Sequence, residues 1–530
     1  MNQTKKLLLP VVAVALSAAW PATGGPEDAR YIVAFHSGRA SAGKGALRAA
    51  GANVVLDLGP QNAVAAHIPA RALPGLAHNP NIDYIEQDAI RTPSALWSDL
   101  TLGGETTPYG IQMVQADQVG GANAGNREVC IIDSGYSQQH EDLKDASGGD
   151  VTANTNDTGS GTWDKDSCGH GTHVAGTVTA TANNGVGVVG VAPGVRLHIV
   201  KVFGDDVVGG GNCAWTYSST LVNALNKCVA AGANVVSMSL GGSFQSRTED
   251  KAFASAYQQG VLSIAAAGNG GNKTTSYPAG YDSVVSVAAV DADENVAAFS
   301  QKNRDVELAA PGVAVLSSVP WSDTNTLSSG STSVSGAHVE NSARTPGLGN
   351  VIVDGGQCSS ASVYPPGAIV LCQRGTNSFL AKVTNVQSGG GGAAAIYNNA
   401  ASDPSCGDFA ATLGDGNSSA IPAISLSCSD GAAMLGFVNG SATLVSQFSA
   451  PGSGYEAWDG TSMATPHVSG VAALVWSHCP GSTNGQVRTA LDNSARDKGA
   501  AGRDTSYGFG IVQAQAALDY MQTHGTCVVP

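Results

Sequence analysis

The sequence predicts an α/β fold: a mostly parallel sheet flanked by helices, with an inserted mainly-β domain and a small α+β unit in front. Apolar runs typical of buried strands alternate with helical stretches between about residues 107 and 318, and this texture returns after residue 449. Such alternation indicates a parallel sheet covered on both faces. Gly, Ser, Asn and Ala dominate residues 327–449, which indicates a separate inserted unit.

The composition limits the class of protein. The chain has 530 residues, 42% of them hydrophobic and 13% charged, so we expect a globular protein of several domains. The formal net charge is -15, and the sequence contains no stripe of Lys and Arg residues that could bind phosphates, so nucleic acid is not an expected partner. Beyond the N-terminal segment no stretch is long and apolar enough to span a membrane, so a membrane is not expected either.

The N-terminal segment has the pattern of an export signal. Lys5 and Lys6 precede the apolar residues 7–19, and small residues follow. We therefore expect residues 1–24 to be a signal peptide and the protein to be secreted and extracellular. A buried N-terminal helix is the alternative.

Ten cysteines accompany this signal, an even number without Cys-x-x-Cys spacing. In an exported protein they indicate disulfides rather than a zinc site. Sequence alone does not determine their connectivity. As a working expectation we pair neighbours along the chain: Cys130–Cys168, Cys213–Cys228, Cys358–Cys372, Cys406–Cys428 and Cys479–Cys527.

The small unit in front covers residues 30–92. Strands are predicted at residues 31–35, 63–68 and 82–86, with helices at residues 43–52 and 71–78. The alternation predicts a compact fold of its own. Its place directly behind a signal favours a removable pro-segment over a permanent domain.

Three short motifs carry candidate chemistry. Asp133 follows the apolar run 128–132, so it lies at the carboxyl end of a strand, where open α/β sheets build their sites. His170 lies among small residues at the predicted start of a helix, and with His173 it could form part of a metal site, although no third ligand is evident. Ser462 begins an apolar helix, whose N-terminus favours negative charge. An ordinary turn, a structural histidine and a helix cap are the respective alternatives.

Taken together, in the order Asp, His, Ser, the motifs resemble the subtilisin-like serine proteases over roughly residues 109–320 and 454–520. The resemblance implies a serine endopeptidase with Asp133, His170 and Ser462 as its catalytic triad. The segment Ala-Ala-Ala-Gly-Asn-Gly is similar to the family's oxyanion motif. Its Asn269 would therefore donate the side-chain amide to the developing oxyanion.

The resemblance extends to the substrate cleft. Ser239, Leu240 and Gly241 resemble the family segment that hydrogen-bonds the substrate backbone and walls the S1 pocket. The loop 269–277 carries Lys273 and no acid. We expect broad specificity with a neutral or apolar residue at P1, the residue just before the scissile bond.

Residues 140–143 and 183–188 resemble the family's strong calcium site. The implied ligands are all oxygens, which suits calcium as a structural cofactor. Side chains are expected from Asp142, Asn184 and Glu105, and backbone carbonyls from Ala182, Val186 and Val188. Relative to the family pattern, one residue is inserted between His173 and this loop, so the carbonyl of Ala182 is the ligand whose assignment depends on the alignment. The alternative is a turn rich in Gly and Asn that binds no metal.

The resemblance also divides the chain. We expect a signal peptide, an inhibitory propeptide cleaved between residues 92 and 102, and a catalytic domain interrupted by an insertion that resembles a protease-associated (PA) domain. The insertion either contacts substrate or is a disulfide-stapled unit without a binding role. The expected bounds are residues 1–24, 30–92, 93–326, 327–449 and 450–530.

Two rival functions stay open. A catalytically silent binding protein that uses the PA-like domain is disfavoured by the intact motifs, and an esterase-type hydrolase by the absence of a Gly-x-Ser-x-Gly elbow. The expected partners are protein and peptide substrates and the chain's own propeptide as an intramolecular inhibitor. We expect a monomer.

Overall fold

A computed structural model describes residues 29–529, except 94–95, 100–103, 121–123, 144–151, 157–162, 205–206, 209–211, 214, 376, 410, 415–416 and 450–452. The predicted signal peptide lies outside the described residues. None of the described helices combines the length and the apolar character that crossing a bilayer requires.

The N-terminal unit folds around one antiparallel sheet with the strand order β2-β3-β1-β4. Its core includes Val33, Leu47 and Val64, all fully buried. Short 3-10 turns occur at Gly59–Gln61 and Ala70–Ala72. The elements are β1 (Arg30–Phe35), α1 (Ala40–Ala49), β2 (Asn53–Leu58), β3 (Ala63–His67), α2 (Leu73–Ala77) and β4 (Ile82–Gln87).

Two strands then leave this unit and lie along the next domain: β5 (Ile90–Pro93) and β6 (Leu96–Asp99). The first part of that domain alternates strands and helices. A 3-10 turn occurs at Ala124–Asn126. The elements are α3 (Tyr109–Met113), α4 (Ala116–Val119), β7 (Glu128–Asp133), β8 (Thr152–Asn156), α5 (His170–Thr179), β9 (Arg196–Lys201), β10 (Val207–Val208), β11 (Asn212–Cys213), β12 (Thr216–Tyr217), α6 (Ser218–Ala231), β13 (Val235–Met238), β14 (Leu240–Gly241), α7 (Arg247–Gln258), β15 (Leu262–Ala266), β16 (Val284–Val290), β17 (Leu308–Pro311) and β18 (Val315–Ser318).

The predicted parallel sheet is confirmed. In the described part of the chain it has seven strands in the order β17-β16-β15-β13-β7-β9-β8, and every pairing is parallel. Helices cover both faces, so β7 is buried at every position. Such strands read as apolar runs, which is why the sequence identifies them.

The insertion forms a second sheet. Its strand order is β20-β19-β27-β22-β23-β24-β26-β21-β25, and Ser322 pairs with Ser449 where the two ends of the insertion meet. Two helices accompany the predicted strands. The elements are β19 (Ser322–Ser329), β20 (Thr332–Ser335), β21 (Ala337–Glu340), β22 (Thr345–Asp354), β23 (Ile369–Gln373), α8 (Phe379–Ser388), β24 (Ala393–Tyr397), β25 (Ala411–Thr412), β26 (Ala423–Leu426), α9 (Cys428–Leu435) and β27 (Ser441–Ser449).

The chain then returns to the first domain through β28 (Tyr455–Asp459), α10 (Thr461–His478), α11 (Asn484–Ser494) and α12 (Ala514–Thr523). Strand β28 pairs with β18 and β6. Helix α10 is buried from Thr461 to Ser477 and packs against the central sheet. The insertion therefore separates two parts of one core.

All ten cysteines are paired, but two of the predicted pairings are wrong. The structure has Cys130–Cys228 and Cys168–Cys213 in place of Cys130–Cys168 and Cys213–Cys228. Cys130 lies on β7 and Cys228 on α6, which packs against the same sheet, so tertiary contact brings together residues that are 98 apart. The other predicted pairs are confirmed: Cys358–Cys372, Cys406–Cys428 and Cys479–Cys527.

Candidate active site

Asp133 and His170 meet at the carboxyl edge of the central sheet. Asp133 is the last residue of β7, and His170 is the first residue of α5. The Nδ1 atom of His170 lies 2.7 Å from Oδ1 of Asp133, which also accepts a hydrogen bond from the backbone N–H of Ser134. Both side chains are buried. A buried carboxylate at this distance orients the imidazole and stabilises its protonated form.

Ser462 is the second residue of α10 and lies beside Ser239. Its Oγ donates to the Ser239 carbonyl at 2.9 Å, and the Ser239 hydroxyl donates to the Ser462 carbonyl at 2.7 Å. The Nε2 atom of His170 has no hydrogen-bond partner among the described residues. The Ser462 hydroxyl must therefore rotate away from Ser239 before it can hydrogen-bond to His170. Catalytic hydrogen bonds of this kind often tighten only when substrate is bound.

Asn269 follows β15, and its side chain contacts Thr461, the first residue of α10. Its Oδ1 atom accepts hydrogen bonds from the backbone N–H of Thr461 at 2.9 Å and from the Thr461 hydroxyl at 2.7 Å. These contacts hold the side-chain amide next to Ser462. A helix N-terminus and an oriented amide together form an environment that favours an oxyanion.

Sequence reasoning missed Asp166, which organises the start of α5. Its carboxylate accepts hydrogen bonds from the backbone N–H groups of Gly169 and Thr172, each at 2.8 Å. It also accepts from the hydroxyl of Ser134 at 2.8 Å, and that hydroxyl in turn accepts from the N–H of Gly171. Asp166 therefore links the end of β7 to the start of α5. An acid just before a helix is a capping signal that could have identified it.

His173 has a structural environment. Its ring stacks on Trp458 with the centroids 4.5 Å apart, and its Nε2 atom lies 3.1 Å from the Glu456 carbonyl. No group of three or more His, Cys, Asp or Glu side chains that could hold a metal occurs in the described part of the chain. His170 is paired with Asp133, and His173 is paired with a backbone carbonyl. These contacts favour a structural role for His173 over a role as a metal ligand.

Two buried histidines make the fold sensitive to acid. Burial lowers the pKa of His173 to about 3 and that of His467 to about 4, while both titrate near 6.5 when unfolded. The unfolded chain therefore binds more protons below pH 6.5, so stability is lost as the pH falls from there towards 4. We expect each histidine to remove about 3 kcal/mol of folding free energy by pH 4.

The measurement is thermal unfolding between pH 7 and pH 4. The His467→Gln variant should lose less stability over this range than the wild type. His524→Gln, which changes an exposed histidine, is the matched control and should leave the profile unchanged. An identical profile for His467→Gln would contradict the assignment.

Strand β5 of this same chain occupies the cleft beside Ser462. It is antiparallel to β14, with Pro93 opposite Leu240 and Thr92 opposite Gly241. On its other side it is antiparallel to β12, with Arg91 opposite Thr216. An extended segment held between two edge strands is bound mainly through its backbone.

Strand β6 continues on the far side of Ser462. Leu96 pairs with Asp459, and the strand then runs antiparallel to β28. The chain thus enters the cleft beside Ser239 and leaves it beside Asp459, and Ser462 lies close to both. Residues 94 and 95, which connect the two strands, lie outside the described residues.

Two carboxylates of the N-terminal segment cap helices of the larger domain. Asp88 is buried and accepts from the backbone N–H of Ser219 at 2.9 Å, at the start of α6. Glu86 accepts from the N–H groups of Arg247 and Thr248 at 2.8 and 3.0 Å, at the start of α7. Carboxylates at helix N-termini satisfy free N–H groups and complement the helix dipole. These caps hold the N-terminal unit on the domain that carries Ser462.

The structure brings Glu105, Asp142 and Asn184 together around the loop 182–188. Oε2 of Glu105 accepts from the backbone N–H of Asn184 at 2.9 Å, and the Asn184 amide donates to Oδ1 of Asp142 at 2.6 Å. Oδ2 of Asp142 accepts from the N–H of Val188 at 2.8 Å. Burial raises the pKa of Asp142 to about 6, so a bound cation would stabilise its charged form. The oxygen donor set and this buried carboxylate fit calcium.

Comparison with known families gives two matches. The model of the subtilase family matches residues 126–344 and 419–510, and the model of the PA domain matches residues 342–434. Subtilisin DY of Bacillus licheniformis is 41% identical over 245 residues, which cover 45% of this chain and 84% of that protein. Subtilisin E of Bacillus subtilis is 34% identical over 266 residues, covering 49% of this chain and 64% of that protein.

Two solved structures are also similar. The psychrophilic subtilisin-like protease Apa1 from the Antarctic psychrotroph Pseudoalteromonas sp. AS-11 is 38% identical, with a TM-score of 0.51, covering 80% of this chain and all of that one (100%). Fervidolysin from Fervidobacterium pennivorans, a keratinolytic enzyme related to subtilisin, has a TM-score of 0.57 at 23% identity, covering 93% of this chain and 61% of that one. The second likeness is one of fold alone.

Proposed function

This chain belongs to the subtilase family of serine endopeptidases, and from that premise we propose that it is secreted and cleaves proteins through an acyl-enzyme on Ser462. One observation carries the proposal: the buried Asp133–His170 pair lies at the sheet edge beside a cleft that already holds an extended peptide strand. The predicted signal peptide supports secretion.

We assign the catalytic steps to four residues. His170 takes the proton of the Ser462 hydroxyl as Oγ attacks the peptide carbonyl, and Asp133 stabilises the resulting imidazolium. Asn269 and the backbone N–H of Ser462 stabilise the oxyanion of the tetrahedral intermediate. His170 then gives its proton to the leaving amine, and water releases the acyl-enzyme in a second round of the same steps.

We propose broad specificity with a neutral or apolar P1 residue. Backbone pairing along Leu240 and Gly241 supports breadth, because it reads main chain rather than side chains. The loop 269–277 carries the exposed Lys273 and no Asp or Glu that could bind a basic P1 side chain, which supports a neutral or apolar P1 residue. A Cβ atom on Gly241 would lie 2.2 Å from Oγ of Ser276, so the cleft wall needs glycine there.

The test of this function is casein hydrolysis by the processed protein in calcium, with and without phenylmethylsulfonyl fluoride. We expect hydrolysis that the inhibitor abolishes. Casein hydrolysis that resists the inhibitor would contradict the serine mechanism. A processed protein that cleaves no protein substrate would contradict the broad specificity and favour the binding role.

We propose that residues 30–92 are an inhibitory propeptide, removed by self-cleavage. The caps from Asp88 and Glu86 and the pairing of β5 in the cleft support inhibition, because the unit is held where a substrate would bind. Pro93 is the last residue of β5 and lies opposite Leu240, next to Ser239, so we assign the residue that follows it in the sequence, Ser94, to P1. The Ser94–Ala95 bond is therefore the proposed scissile bond.

N-terminal sequencing of the mature protein tests this assignment. The expected sequence begins Ala-Leu-Trp, at Ala95. A Gly241→Pro variant is the matched perturbation, because proline removes the backbone N–H of the residue opposite Thr92, and Pro93 has no N–H of its own to pair with Leu240. We expect it to slow or misplace processing. A wild-type N-terminus outside residues 94–96 would contradict the register.

We propose calcium as a structural cofactor held by Asp142, Asn184 and Glu105, with carbonyls of Ala182, Val186 and Val188. Calcium would neutralise the paired acids and fix the loop on the catalytic domain. We expect the melting temperature to be about 5 °C higher in millimolar calcium than in EDTA. Asp142→Asn should abolish this difference, and Asp117→Asn, an exposed control, should keep it. Equal melting temperatures with and without calcium in the wild type would contradict the site.

A further inference from the structure

Arg91 differs from its neighbours in β5. The side chain of Arg91 is fully buried, at 0% exposure, whereas Ile90 is 47% exposed and Thr92 is exposed. Arginine is almost never fully buried unless it is paired. The cleft therefore encloses this one side chain of the strand while leaving its neighbours in solvent.

The guanidinium of Arg91 is bound by a carboxylate and a carbonyl of the catalytic domain. Its Nε and Nη2 atoms lie 3.1 and 2.6 Å from the two carboxylate oxygens of Glu249, a bidentate pair. Nη2 also donates to the backbone carbonyl of Phe244 at 3.1 Å, and Nη1 donates to the carbonyl of Ile90 at 2.9 Å. A planar fork is matched here by acceptors in the geometry that arginine requires.

Glu249 belongs to a site that is built into the catalytic domain. It lies on α7 at 0% exposure, and the Tyr281 hydroxyl is 2.7 Å from its Oε2 atom. That hydroxyl in turn accepts from the backbone N–H of Ser246 at 3.0 Å. Neither the Tyr281 hydroxyl nor the Ser246 N–H carries a positive charge, so these partners orient the Glu249 carboxylate but do not balance its charge. A buried carboxylate is costly unless a cation pairs with it.

The backbone next to this site leaves no room for a side chain. A Cβ atom on Gly242 would lie 2.3 Å from the carbonyl oxygen of Ile90 and 3.0 Å from Nη1 of Arg91. Glycine at this position therefore lets β5 and the arginine approach closely. The Glu249 carboxylate, the Phe244 carbonyl and the open space beside Gly242 together form a site for arginine.

The register of β5 indicates which residue of a substrate would occupy this site. With Ser94 as P1, Arg91 is P4, the fourth residue before the scissile bond. We propose that Glu249 makes this protease select substrates with arginine at P4, and that the propeptide occupies the same site with Arg91. The proposal rests on the proposed endopeptidase function and deepens it. Breadth at P1 and selection at P4 are compatible, because residues three apart in an extended strand are about 10 Å apart and on opposite faces of the strand.

Quenched fluorescent octapeptides with the sequence of residues 90–97, Ile-Arg-Thr-Pro-Ser-Ala-Leu-Trp, test the proposal on the mature enzyme. The arginine is replaced by citrulline, lysine or alanine. Citrulline keeps the shape of arginine and removes its charge. We expect kcat/KM for the arginine peptide to exceed that for the citrulline peptide about 10-fold or more. Lysine should fall between them, because it cannot form the bidentate pair.

The Glu249→Gln variant removes the charge and keeps the side-chain shape. We expect its preference for arginine over citrulline to fall to about one, with little change on the alanine peptide. Asp250→Asn is the matched control, since it removes a carboxylate from the next residue of α7 that does not contact Arg91, and it should keep the wild-type preference.

Equal rates on the arginine and citrulline peptides by a wild-type enzyme that cleaves the alanine peptide would overturn the P4 proposal alone. A mature enzyme that hydrolyses casein but none of these peptides would overturn the P4 proposal and leave the endopeptidase function standing, whereas one that cleaves neither casein nor the peptides would overturn both. The wild-type comparison does not depend on how well Glu249→Gln folds. If that variant folds and retains the preference, Glu249 is not its cause.

Discussion

Replacing Ser462 with alanine is expected to lower kcat by about 10⁶-fold, the size of the loss that subtilisin itself shows when its triad serine is removed. Without Oγ there is no acyl-enzyme, and only substrate binding and the oxyanion donors remain. Casein hydrolysis and the mass of the purified chain measure the effect. We also expect the propeptide to stay attached, because the chain can no longer cleave itself.

Ser469→Ala is the matched control for this variant. Ser469 is a buried serine of the same helix, and its Oγ lies 2.9 Å from Oγ of Ser237. Its loss removes a comparable hydroxyl without touching the proposed nucleophile, so we expect processing and hydrolysis to persist. If Ser462→Ala, purified alone, were still processed, self-cleavage would be wrong. If it still hydrolysed casein at the wild-type rate, the nucleophile would be another residue.

The second largest effect is expected for Asp133→Asn, about 10⁴-fold in kcat with KM nearly unchanged. Oδ1 of Asp133 lies 2.7 Å from Nδ1 of His170 and holds the imidazole in the tautomer that leaves Nε2 free to accept a proton. An amide donor at that point favours the wrong tautomer and no longer stabilises the imidazolium. The measurement is kcat and KM on a neutral peptide between pH 6 and pH 10.

Asp519→Asn, an exposed aspartate on α12, is the control and should keep wild-type kinetics. A weaker loss, about 10²–10³ in kcat, is expected for Asn269→Ala, because only one oxyanion donor is removed. The predicted order is therefore Ser462, then Asp133, then Asn269. An Asp133→Asn enzyme with less than about a 10-fold loss would contradict the triad assignment.

The sequence predicted the parts of the fold that are buried on both faces. Strands β7, β9, β13, β15 and β16 read as apolar runs because helices cover the sheet on either side. Ser462 was predicted at the start of a helix, and α10 begins one residue earlier, at Thr461. These features are local, so a short window of sequence is enough to identify them.

Elements with weak patterns were missed. Strand β2 is exposed at four of its six positions. Leu56 and Leu58 share the face that packs on the core, but Val55 on the opposite face weakens the alternation in the sequence. Helix α8 lies in the insertion, for which the sequence predicts a mainly-β fold and no helix, although its N-cap, Ser378, accepts a hydrogen bond from the N–H of Ala381. That serine is a helix-start signal that could have been used.

Contacts between distant residues could not be predicted. Arg91 and Glu249 are 158 residues apart, and each alone reads as an ordinary surface charge. Asp166 contacts Ser134 across 32 residues and organises the start of α5 only because β7 and α5 meet at the sheet edge. The pairing of Cys130 with Cys228 has the same cause. Tertiary structure decides all three, and no local pattern encodes it.

Mapping the covalent adduct of phenylmethylsulfonyl fluoride on the mature enzyme is the direct test that Ser462 is the nucleophile. Peptide mass spectrometry after partial inactivation would locate the sulfonyl group and count it against lost activity. We predict one adduct, on the peptide that contains Ser462, rising in proportion to the lost activity. Complete inactivation with the adduct on another residue, or full activity with Ser462 modified, would contradict it.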